Sequence, residues 1–553
     1  MGEVRNILFV MYDQLRFDYM SCSGHPHLKT PNFDRLAAMG VRFTRAYVQS
    51  PICGPSRMST YTGRYVQSHG SHWNNFPLRV GEITLGDHLR KLGAEAWLIG
   101  KSHMKADAEG MRRLGLAPDS VIGARVAECG FDIWKRDDGL WAEGPKGFYD
   151  SKDQPYNHWL NSRGYTSSNP WHDHANSGIG EDDRMLSGWF LRNSREAANI
   201  REEDSETPWL TSEAIRFLES RPADGPNWLC HLSYIKPHWP YIAPEPWASM
   251  FAASQVLPAV RHECERRDPH PVYRAFMESR ISRALSRDEV REAVIPAYMG
   301  LVAQCDEEFG RLLAYLEATG RMKDTMIVLT SDHGDYLGDH WMGDKDLFHE
   351  PSVRIPLIIY DPSREADASR GTTCDALVES IDLAPTFIEA MGGTQPCHVL
   401  EGRSLLGWLR GKEPDTWRHA VISEYDYSVV GVADALKVPP RDARLMMLFD
   451  GRWKLVHAEG DFRPMLFDLE TDPQEFHDLG ASPEHKEEID RLYDLLHRWA
   501  RRPSQRITMS DARIRALSGR EEDSGIYLGI WDESELPSDA PQSLIGRARR
   551  IIN

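Results

Sequence analysis

The stretch that decides the fold is ILFVMYDQ, at residues 7–14. It begins with a run of apolar side chains, Ile7 to Met11, and ends in two polar ones, Asp13 and Gln14. A short and continuous apolar run is typical of a strand that is buried on both faces, as in the parallel sheets of α/β proteins. We therefore expect a central strand over residues 7–12 whose end presents Asp13 and Gln14.

Further short apolar runs alternate with helical patterns along the chain. Strands are predicted at 96–100, 228–233, 326–330 and 353–360. Pro356 favours an edge position or a bend for the last of these, because proline cannot donate to a strand ladder. Helices are predicted at 31–40, with Thr30 as N-cap and Pro31 in the first turn, at 82–92 and at 297–318. The alternation predicts an α/β fold with a large, mostly parallel sheet between layers of helices.

The pattern changes after about residue 410, where short strands follow one another closely. They are predicted at 420–424, 444–449, 453–457 and 465–469, with a helix at 484–500 behind them. We therefore predict an α/β domain at 1–410 with a long insertion at about 105–225, and a smaller subdomain at 411–500 with an antiparallel sheet and a helix. A polar tail follows at 501–553, and its apolar patch at 526–531 is expected to make contacts within a homodimer or homotetramer.

Composition excludes several classes of protein. The chain has 553 residues and a formal net charge of -18, which argues against a general nucleic-acid surface. The first apolar run is too short for a membrane span or a signal sequence, so we expect a cytoplasmic protein without membrane contacts. Its 8 cysteines form no C-x-x-C pair, which argues against a disulfide framework or a zinc site.

Polar side chains follow the ends of several predicted strands. They are Asp13 and Gln14, Lys101 and His103, His238, and Asp332 and His333. Ligands of open α/β sheets bind at the carboxyl ends of the strands, so these side chains are candidates for one site. Taken singly, each has a simpler interpretation, since a carboxylate after a strand is often a turn or cap residue and a lone lysine or histidine is usually a surface group.

A second informative stretch is CGPSRMSTYTGR, at residues 53–64. Ser56 and Arg57 lie near the predicted start of a helix that runs through Met58 to Thr62. The free N–H groups of a helix N-terminus stabilise an anion, and Arg57 adds a fixed positive charge. A thiolate or an oxyanion at residue 53 would be stabilised there. The alternative is a small buried cysteine before a helix, which does not explain the residues around it.

The pattern C-x-P-S-R-x4-T-G-R resembles the signature of the type I, formylglycine-dependent sulfatase family of the alkaline-phosphatase-like superfamily. Three further elements resemble that family: G-K-x-H at residues 100–103, P-H-x-P at 237–240, and Lys345 downstream of the Ser-Asp-His-Gly at 331–334. Asp13-Gln14, Asp332-His333 and the tail residues 529–533 resemble its arylsulfatase and phosphonate monoester hydrolase branch. The match covers roughly residues 5–410 and continues more loosely to 473.

The resemblance implies a chemically modified residue and a metal ion. Cys53 would be converted by a formylglycine-generating enzyme to formylglycine (3-oxoalanine), whose hydrate attacks the substrate. Asp13, Gln14, Asp332 and His333, with residue 53 as a further ligand, would hold one divalent metal ion. The family suggests Ca²⁺, while the imidazole of His333 also admits Mn²⁺ or Mg²⁺.

The resemblance also implies roles for the other candidates. Arg57, Lys101 and Lys345 would balance the charge of the sulfuryl oxygens, and Asp332 would take a proton from the nucleophile. His238 or Lys345 would protonate the departing oxygen, and His103 would take the proton of the second hydroxyl. Asn74 is similar to a substrate-binding position of phosphonate monoester hydrolases.

The function that these expectations define is the hydrolysis of small sulfate monoesters, as in arylsulfatases, through a covalent sulfo-enzyme intermediate. Lys101 and His103 resemble the sulfatase pattern rather than that of the phosphonate hydrolases, which favours sulfate. One alternative is a phosphonate monoester or phosphodiester hydrolase that uses the same site. A second is an inactive binding protein in which Cys53 stays unmodified.

Overall fold

The computed structural model describes residues 4–117, 119–139, 154–502, 508–517, 531, 533–536 and 538. The chain divides into two compact units, one of residues 1–395 and 400–502 and the other of residues 396–399 and 503–553. The strands are β1 Asn6–Asp13, β2 Val41–Tyr47, β3 Glu95–Gly100, β4 Asp132–Arg136, β5 Ser177–Ile179, β6 Met185–Ser187, β7 Trp228–Pro237, β8 Thr325–Ser331, β9 Arg354–Tyr360, β10 Thr372–Cys374, β11 Val378–Glu379, β12 Val421–Asp426, β13 Arg444–Phe449, β14 Trp453–Ala458 and β15 Met465–Asp468.

The α-helices of the described residues are α1 Pro31–Met39, α2 Cys53–Thr62, α3 Val66–His69, α4 Leu85–Arg90, α5 Ala108–Arg113, α6 Val121–Ala127, α7 Pro155–Ser162, α8 Glu206–Glu219, α9 Pro271–Met277, α10 Arg280–Leu285, α11 Asp288–Ala318, α12 Glu350–Val353, α13 Leu383–Ala390, α14 Leu406–Leu409, α15 Gly431–Leu436, α16 Lys486–Ala500 and α17 Asp511–Leu517. The helix predicted at 297–318 is the second half of α11, which begins nine residues earlier. No helix among the described residues has both the length and the apolar character that a membrane crossing requires.

The main sheet confirms the predicted α/β fold. Its strands are ordered β10-β2-β9-β8-β1-β7-β3-β4, and β11 also pairs with β2. The run β8-β1-β7-β3-β4 is parallel, while β9 is antiparallel to both of its neighbours. All eight residues of β1 are buried, as the apolar run predicts.

The two faces of β1 belong to different hydrophobic clusters. Ile7, Phe9 and Met11 contribute to the cluster that contains α13, whereas Leu8 and Val10 contribute to the cluster that contains most of α11. Successive side chains of a strand point to opposite faces, so both faces of the sheet are covered by helices. Burial of each such side chain contributes about 1.5–3 kcal/mol to folding.

Pro356 does not mark an edge strand, so the edge alternative of that expectation is wrong. β9 lies inside the sheet, between β2 and β8. The register of β2 shifts between Phe43 and Ala46, where two residues of β2 face the single residue Pro356. Such a bulge interrupts the ladder where proline has no N–H to donate. The carbonyl of Pro356 still accepts a hydrogen bond from the Thr330 hydroxyl at 2.8 Å.

The predicted N-cap of α1 is confirmed in its position but not in its hydrogen bond. Thr30 occupies the position before Pro31, but its side chain makes no hydrogen bond to the helix. Its hydroxyl instead accepts a hydrogen bond from the backbone N–H of Ser21 at 2.9 Å. A carboxylate from a remote part of the sequence satisfies an N–H group at the start of α1. Asp306 accepts the N–H of Phe33 at 2.7 Å.

Regions outside the main sheet match the sequence expectations in part. β12, β13, β14 and β15 form the predicted antiparallel sheet, and α16 follows. The region predicted as an insertion at about 105–225 contributes β4 to the main sheet and α8 to its cover. The proposed domain boundaries stay predictions. Most of the tail patch at 526–531 lies outside the described residues, apart from Trp531.

Candidate active site

Four neighbouring strands deliver the candidate residues to one edge of the sheet. β1 ends at Asp13, β3 is followed by Lys101, β7 is followed by His238, and β8 is followed by Asp332. These strands are adjacent and parallel, so their carboxyl ends lie side by side. All four of these side chains are buried. The convergence expected from the sequence is therefore present.

Cys53 is the first residue of α2, which begins three residues before Ser56, the start predicted from the sequence. Its sulfur lies 3.0 Å from Nε2 of His333 and 3.8 Å from Oδ1 of Asp13. The next backbone N–H, that of Gly54, donates to Oδ1 of Asn74 at 2.7 Å. Asn74 thus fixes the start of α2 through its oxygen, so contact with a substrate would fall to its amide nitrogen.

Arg57 is fully buried and organises the carboxylates. Its guanidinium donates to Oδ2 of Asp332 at 2.8 Å and to Oδ2 of Asp13 at 3.0 Å. Its remaining terminal nitrogen donates to the hydroxyl of Ser233 at 2.6 Å and to the carbonyl of Lys101 at 3.1 Å. A buried charge is tolerated only when it is paired and hydrogen-bonded. Arg57 therefore holds Asp13 and Asp332 in fixed orientations beside Cys53.

Lys101 supplies a second buried cation. Its ammonium lies 2.6 Å from Oδ2 of Asp13. Burial lowers the pKa of Lys101, but Asp13 and the Cys53 sulfur raise it, and the net change is upward, so the group stays charged. Gly100, directly before Lys101, has φ of 97°. A Cβ added at this position would lie 2.0 Å from the carbonyl oxygen of Ser233. A larger residue there would displace Lys101.

His103 is a buried imidazole in an unusual backbone conformation, with φ of 54°. The carboxylate of Asp138 holds this turn by accepting the N–H groups of Ser102 and His103, each at 2.9 Å. Burial, and then the neighbouring charge of Lys101, lower the pKa of His103 well below its usual value. A neutral imidazole of this kind can accept a proton.

His238 and Lys345 form a directed pair. Nδ1 of His238 donates to the carbonyl of Trp239 at 2.7 Å, which leaves Nε2 as an acceptor. The ammonium of Lys345 donates to that Nε2 at 3.3 Å. Burial lowers the pKa of His238 well below its usual value, while the pKa of Lys345 is raised, since Asp344 and the Cys53 sulfur outweigh its burial. Lys345 therefore carries the proton of this pair.

Gln14 is held by both its backbone and its side chain. Its φ is 68°, and its N–H donates to Oδ1 of Asp332 at 3.1 Å. Its amide nitrogen donates to Asp335 at 2.6 Å, and its amide oxygen accepts from Lys345 at 3.2 Å. A left-handed non-glycine residue costs about 1–3 kcal/mol and persists only where such contacts hold it. Its role as a metal ligand stays a prediction.

The residues at the centre of the site fit a divalent cation. Asp13, Cys53, Asp332 and His333 are all buried, and each offers a ligand atom within 4.8 Å of the others. Nδ1 of His333 bonds to the carbonyl of Gly334 at 2.9 Å, so that Nε2 faces the cluster. Burial lowers the pKa of His333, but Asp332 and the Cys53 sulfur raise it to about 9, which means that the cluster attracts positive charge.

Sequence reasoning missed the residues that support these groups. Asp335 accepts from the Tyr241 hydroxyl and from Gln14, each at 2.6 Å. Asp344 accepts from Gln14 at 3.1 Å and from the indole of Trp239 at 3.2 Å. Both aspartates lie next to recognised motifs, one after Ser-Asp-His-Gly and one before Lys345, but no spacing rule indicates which of them turn inward.

Comparison with known families covers most of the chain. A family model described as Sulfatase matches residues 5–393. A second model, described as N-sulphoglucosamine sulphohydrolase, C-terminal, matches residues 338–502. Together they span the main sheet, the residues of the candidate site and the small antiparallel sheet.

Individual proteins are similar over nearly their whole length. The chain is 31% identical over 501 residues to the multifunctional alkaline phosphatase superfamily protein PehA of Trinickia caryophylli, covering 87% of this chain and 92% of that protein. It is 27% identical over 553 residues to an arylsulfatase of Clostridium perfringens, covering 98% and 99%. A phosphonate monoester hydrolase from Silicibacter pomeroyi superposes with a TM-score of 0.76 at 28% identity, covering 89% and 94%.

Proposed function

The chain belongs to the sulfatase family of sulfuric ester hydrolases, in the alkaline-phosphatase-like superfamily, and from this premise we propose that it hydrolyses sulfate monoesters with formylglycine at position 53 and a divalent metal ion. The observation that carries the proposal is the position of Cys53. Its sulfur lies in one buried cluster with Asp13, Asp332 and His333, at the N-terminus of α2. A nucleophile placed there lies beside Asp13, whose carboxylate pairs with the cations of Arg57 and Lys101.

Formylglycine, when hydrated, supplies two hydroxyl groups on one carbon, one to attack sulfur and a second whose ionisation expels sulfate and restores the aldehyde. A cysteine or serine side chain has only one such group. Division of one displacement into two easier steps is the advantage of nucleophilic catalysis. The requirement for a second hydroxyl is the physical reason for a modified residue at position 53.

The metal ion would be held by Asp13, Asp332, His333 and residue 53, and we propose Gln14 as a further ligand. When bound, it would supply positive charge next to the nucleophile and to the sulfuryl oxygens. We propose Ca²⁺ from the resemblance to the family, and the imidazole of His333 keeps Mn²⁺ and Mg²⁺ as alternatives.

The chain's own cations would balance the charge that develops on the substrate. Lys101 and Lys345 are both buried and positively charged, which strengthens their interaction with an anion. Arg57 is expected to act indirectly rather than by contact with the substrate, since its nitrogens bind Asp13, Asp332 and neighbouring protein oxygens. We therefore expect Lys101 and Lys345 to contact the sulfuryl group and Arg57 to orient the carboxylates.

Lys345 and His238 are the two candidates for the general acid, and their hydrogen bonds indicate which of them holds the proton. As the S–O bond of the ester breaks, the leaving oxygen needs a proton. Neutral His238 has its only N–H directed to the carbonyl of Trp239, whereas the ammonium of Lys345 has protons to give. We propose that Lys345 protonates the alcohol and that Nε2 of His238 orients it. His103, held neutral, would take the proton of the second hydroxyl.

Proton removal from the attacking hydroxyl is assigned to Asp332. Its Oδ1 accepts from the N–H of Gln14 and its Oδ2 accepts from Arg57, so the carboxylate is held in a fixed orientation beside residue 53. His333, whose Nε2 lies 3.0 Å from the Cys53 sulfur, cannot take this proton when no metal is bound, because its pKa is then raised to about 9 and the imidazole is already protonated near neutral pH.

A second candidate function uses the same residues. The phosphonate monoester hydrolase from Silicibacter pomeroyi superposes over 89% of this chain, and tetrahedral phosphoryl and sulfuryl groups place similar demands on the site. Sulfate is favoured as the main substrate by Lys101 and His103, which follow the sulfatase pattern at 100–103.

The experiment is a comparison of kcat/KM on sulfate, phosphonate and phosphate esters of one phenol, with protein made in a host that forms formylglycine. A preference for the sulfate ester is expected. A preference for the phosphonate or phosphate ester would establish the second candidate. Hydrolysis of none of them, with an intact thiol at residue 53, would establish the inactive binding protein.

A further inference from the structure

A row of tryptophan rings leads away from the site. The ring centroids of His238 and Trp239 are 4.1 Å apart, those of Trp239 and Trp189 are 5.6 Å apart, and those of Trp189 and Trp171 are 6.0 Å apart. Trp171 is buried, whereas 38% of Trp189 is exposed. We call Trp239 and Trp189 the aromatic shelf. The shelf begins beside His238 and reaches solvent at Trp189.

Lys345 indicates which face of the shelf meets the substrate. Its ammonium lies over the ring of Trp239, 5.6 Å from the centroid, and donates to Nε2 of His238. An ester whose leaving oxygen takes a proton from Lys345 has its alcohol part attached to that oxygen. The first atoms of the alcohol part would therefore lie near the ring of Trp239.

The shelf is fixed in place by hydrogen bonds. The indole N–H of Trp239 donates to Asp344 at 3.2 Å. Trp189 follows the hairpin of β5 and β6, where the N–H of Gly188 donates to the carbonyl of Asn176 at 3.0 Å. The side-chain oxygen of Asn176 accepts from the buried ammonium of Lys236 at 2.9 Å, which ties the hairpin to the segment that carries His238. A surface ordered before binding loses little entropy when a ligand arrives.

From these contacts we propose that the aromatic shelf binds the alcohol part of the substrate and selects neutral aromatic alcohols. The inference deepens the proposed function and rests on it, since it concerns the same ester. Aromatic rings gain from offset or edge-to-face contacts with other rings at centroid distances of about 4.5–7 Å. The tilted rings of Trp239 and Trp189, at 58° to one another, offer a face and an edge to a third ring.

A cationic alcohol is the main competing ligand, because tryptophan faces also attract cations. The ammonium of Lys345 already lies over Trp239 and would repel a second cation. The carboxylate of Asp344 already accepts from Gln14 and from Trp239 through Oδ1, and the same oxygen lies 3.6 Å from the ammonium of Lys345. These contacts favour a neutral ring over a quaternary ammonium group.

The test compares two sulfate esters whose alcohols are equally acidic, one a phenol and one a fluorinated alkyl alcohol, so that the chemical step is matched. We expect wild-type kcat/KM to favour the aryl ester. Trp189→Leu should lower kcat/KM for the aryl ester about 5- to 10-fold and leave the alkyl ester within about 2-fold, since one aromatic contact is lost. Trp189→Phe should restore most of the loss. Trp453→Leu, a half-buried tryptophan on β14, is the matched control and should change neither ester.

The outcomes separate this inference from the proposed function. Equal loss on both esters, or no loss in Trp189→Leu, overturns the aromatic shelf while hydrolysis itself supports the function. Faster hydrolysis of a quaternary ammonium alkyl sulfate than of the aryl ester also overturns it. Failure of the modified wild-type protein to hydrolyse either ester overturns the proposed function instead.

Discussion

The ammonium of Lys345 lies 3.3 Å from Nε2 of His238, and the histidine can only accept in that contact because its Nδ1–H is bound to a carbonyl. The pair therefore contains one proton donor, the lysine. Sequence comparison alone left the choice between the two open.

Lys345→Met should slow the hydrolysis of esters with weakly acidic alcohols about 100- to 10,000-fold in kcat, because general acid catalysis contributes on that scale. Esters of strongly acidic phenols should lose much less, since their oxygen leaves without a proton. The measurement is the dependence of kcat on the acidity of the leaving alcohol. Lys486→Met, which removes an exposed lysine paired with Asp490, is the control and should leave that dependence unchanged. An equal loss on every ester would contradict the assignment.

Cys53→Ser should keep the fold and lose multiple turnover, because a serine cannot form a hydrate with a second hydroxyl. Circular dichroism should match that of the wild type, and product formation should stop at or below one equivalent per active site. Cys374→Ser, at a half-buried cysteine on β10, should turn over normally. Sustained turnover by Cys53→Ser would refute the requirement for a modified residue.

Removal of metal should abolish activity and also lower thermal stability. A ligand that binds only the folded state, present at about 100 times its Kd, adds about 2.7 kcal/mol to the free energy of unfolding. The melting temperature should therefore fall after chelation and recover with added Ca²⁺, Mn²⁺ or Mg²⁺, and the ion that restores activity identifies the native metal. His333→Ala should remove this response, whereas His477→Ala, at an exposed histidine, should retain it. A melting temperature indifferent to chelation in the active wild type would exclude the site.

Lys236 and Glu206 should behave as a coupled buried pair. Burial raises the pKa of Glu206 to about 7, and Lys236 opposes that rise. Because the folded protein then holds the proton of Glu206 more tightly than the unfolded chain, this group makes stability fall as pH rises from about 4.5 to about 7. Lys236→Met removes the opposing charge, which raises the pKa of Glu206 further and should extend that fall to higher pH.

A double-mutant cycle measures this coupling. Lys236→Met should be destabilising, because it removes the hydrogen bonds that the buried Lys236 ammonium donates to the side chain of Asn176 and to the carbonyl of Pro240. Glu206→Gln in the same protein should recover part of the loss and flatten the pH dependence between pH 5 and 7, as followed by urea denaturation. Strictly additive effects of the two changes would show that the pair is not coupled.

The sheet was predictable because its signal is local. The run from Ile7 to Met11 alone indicates a strand buried on both faces, and polar residues directly after such strands indicate a binding edge. β2 was missed, since its sequence, VRFTRAY, mixes charged and apolar residues and pairs with β9 across a bulge. Long-range pairing of this kind leaves no periodic signal.

The candidate site was predictable at the level of residues and not of contacts. The ordered motifs indicated Cys53, Lys101 and His238, and the structure places them together. Arg57 binds two carboxylates, and Lys345 rather than His238 holds the proton of their pair. Both facts depend on side-chain geometry between residues that are 44 to 275 positions apart in the sequence. The spacing of motifs along the chain does not indicate which partners these side chains bind.

The most direct test of the central claim is the mass of the peptide that contains residue 53, in protein produced in a host able to make formylglycine and shown to be active. We predict that the sulfur of Cys53 is replaced by an aldehyde oxygen, and that the modified fraction matches the fraction of active sites titrated. Full activity in protein whose residue 53 is an intact thiol would contradict it.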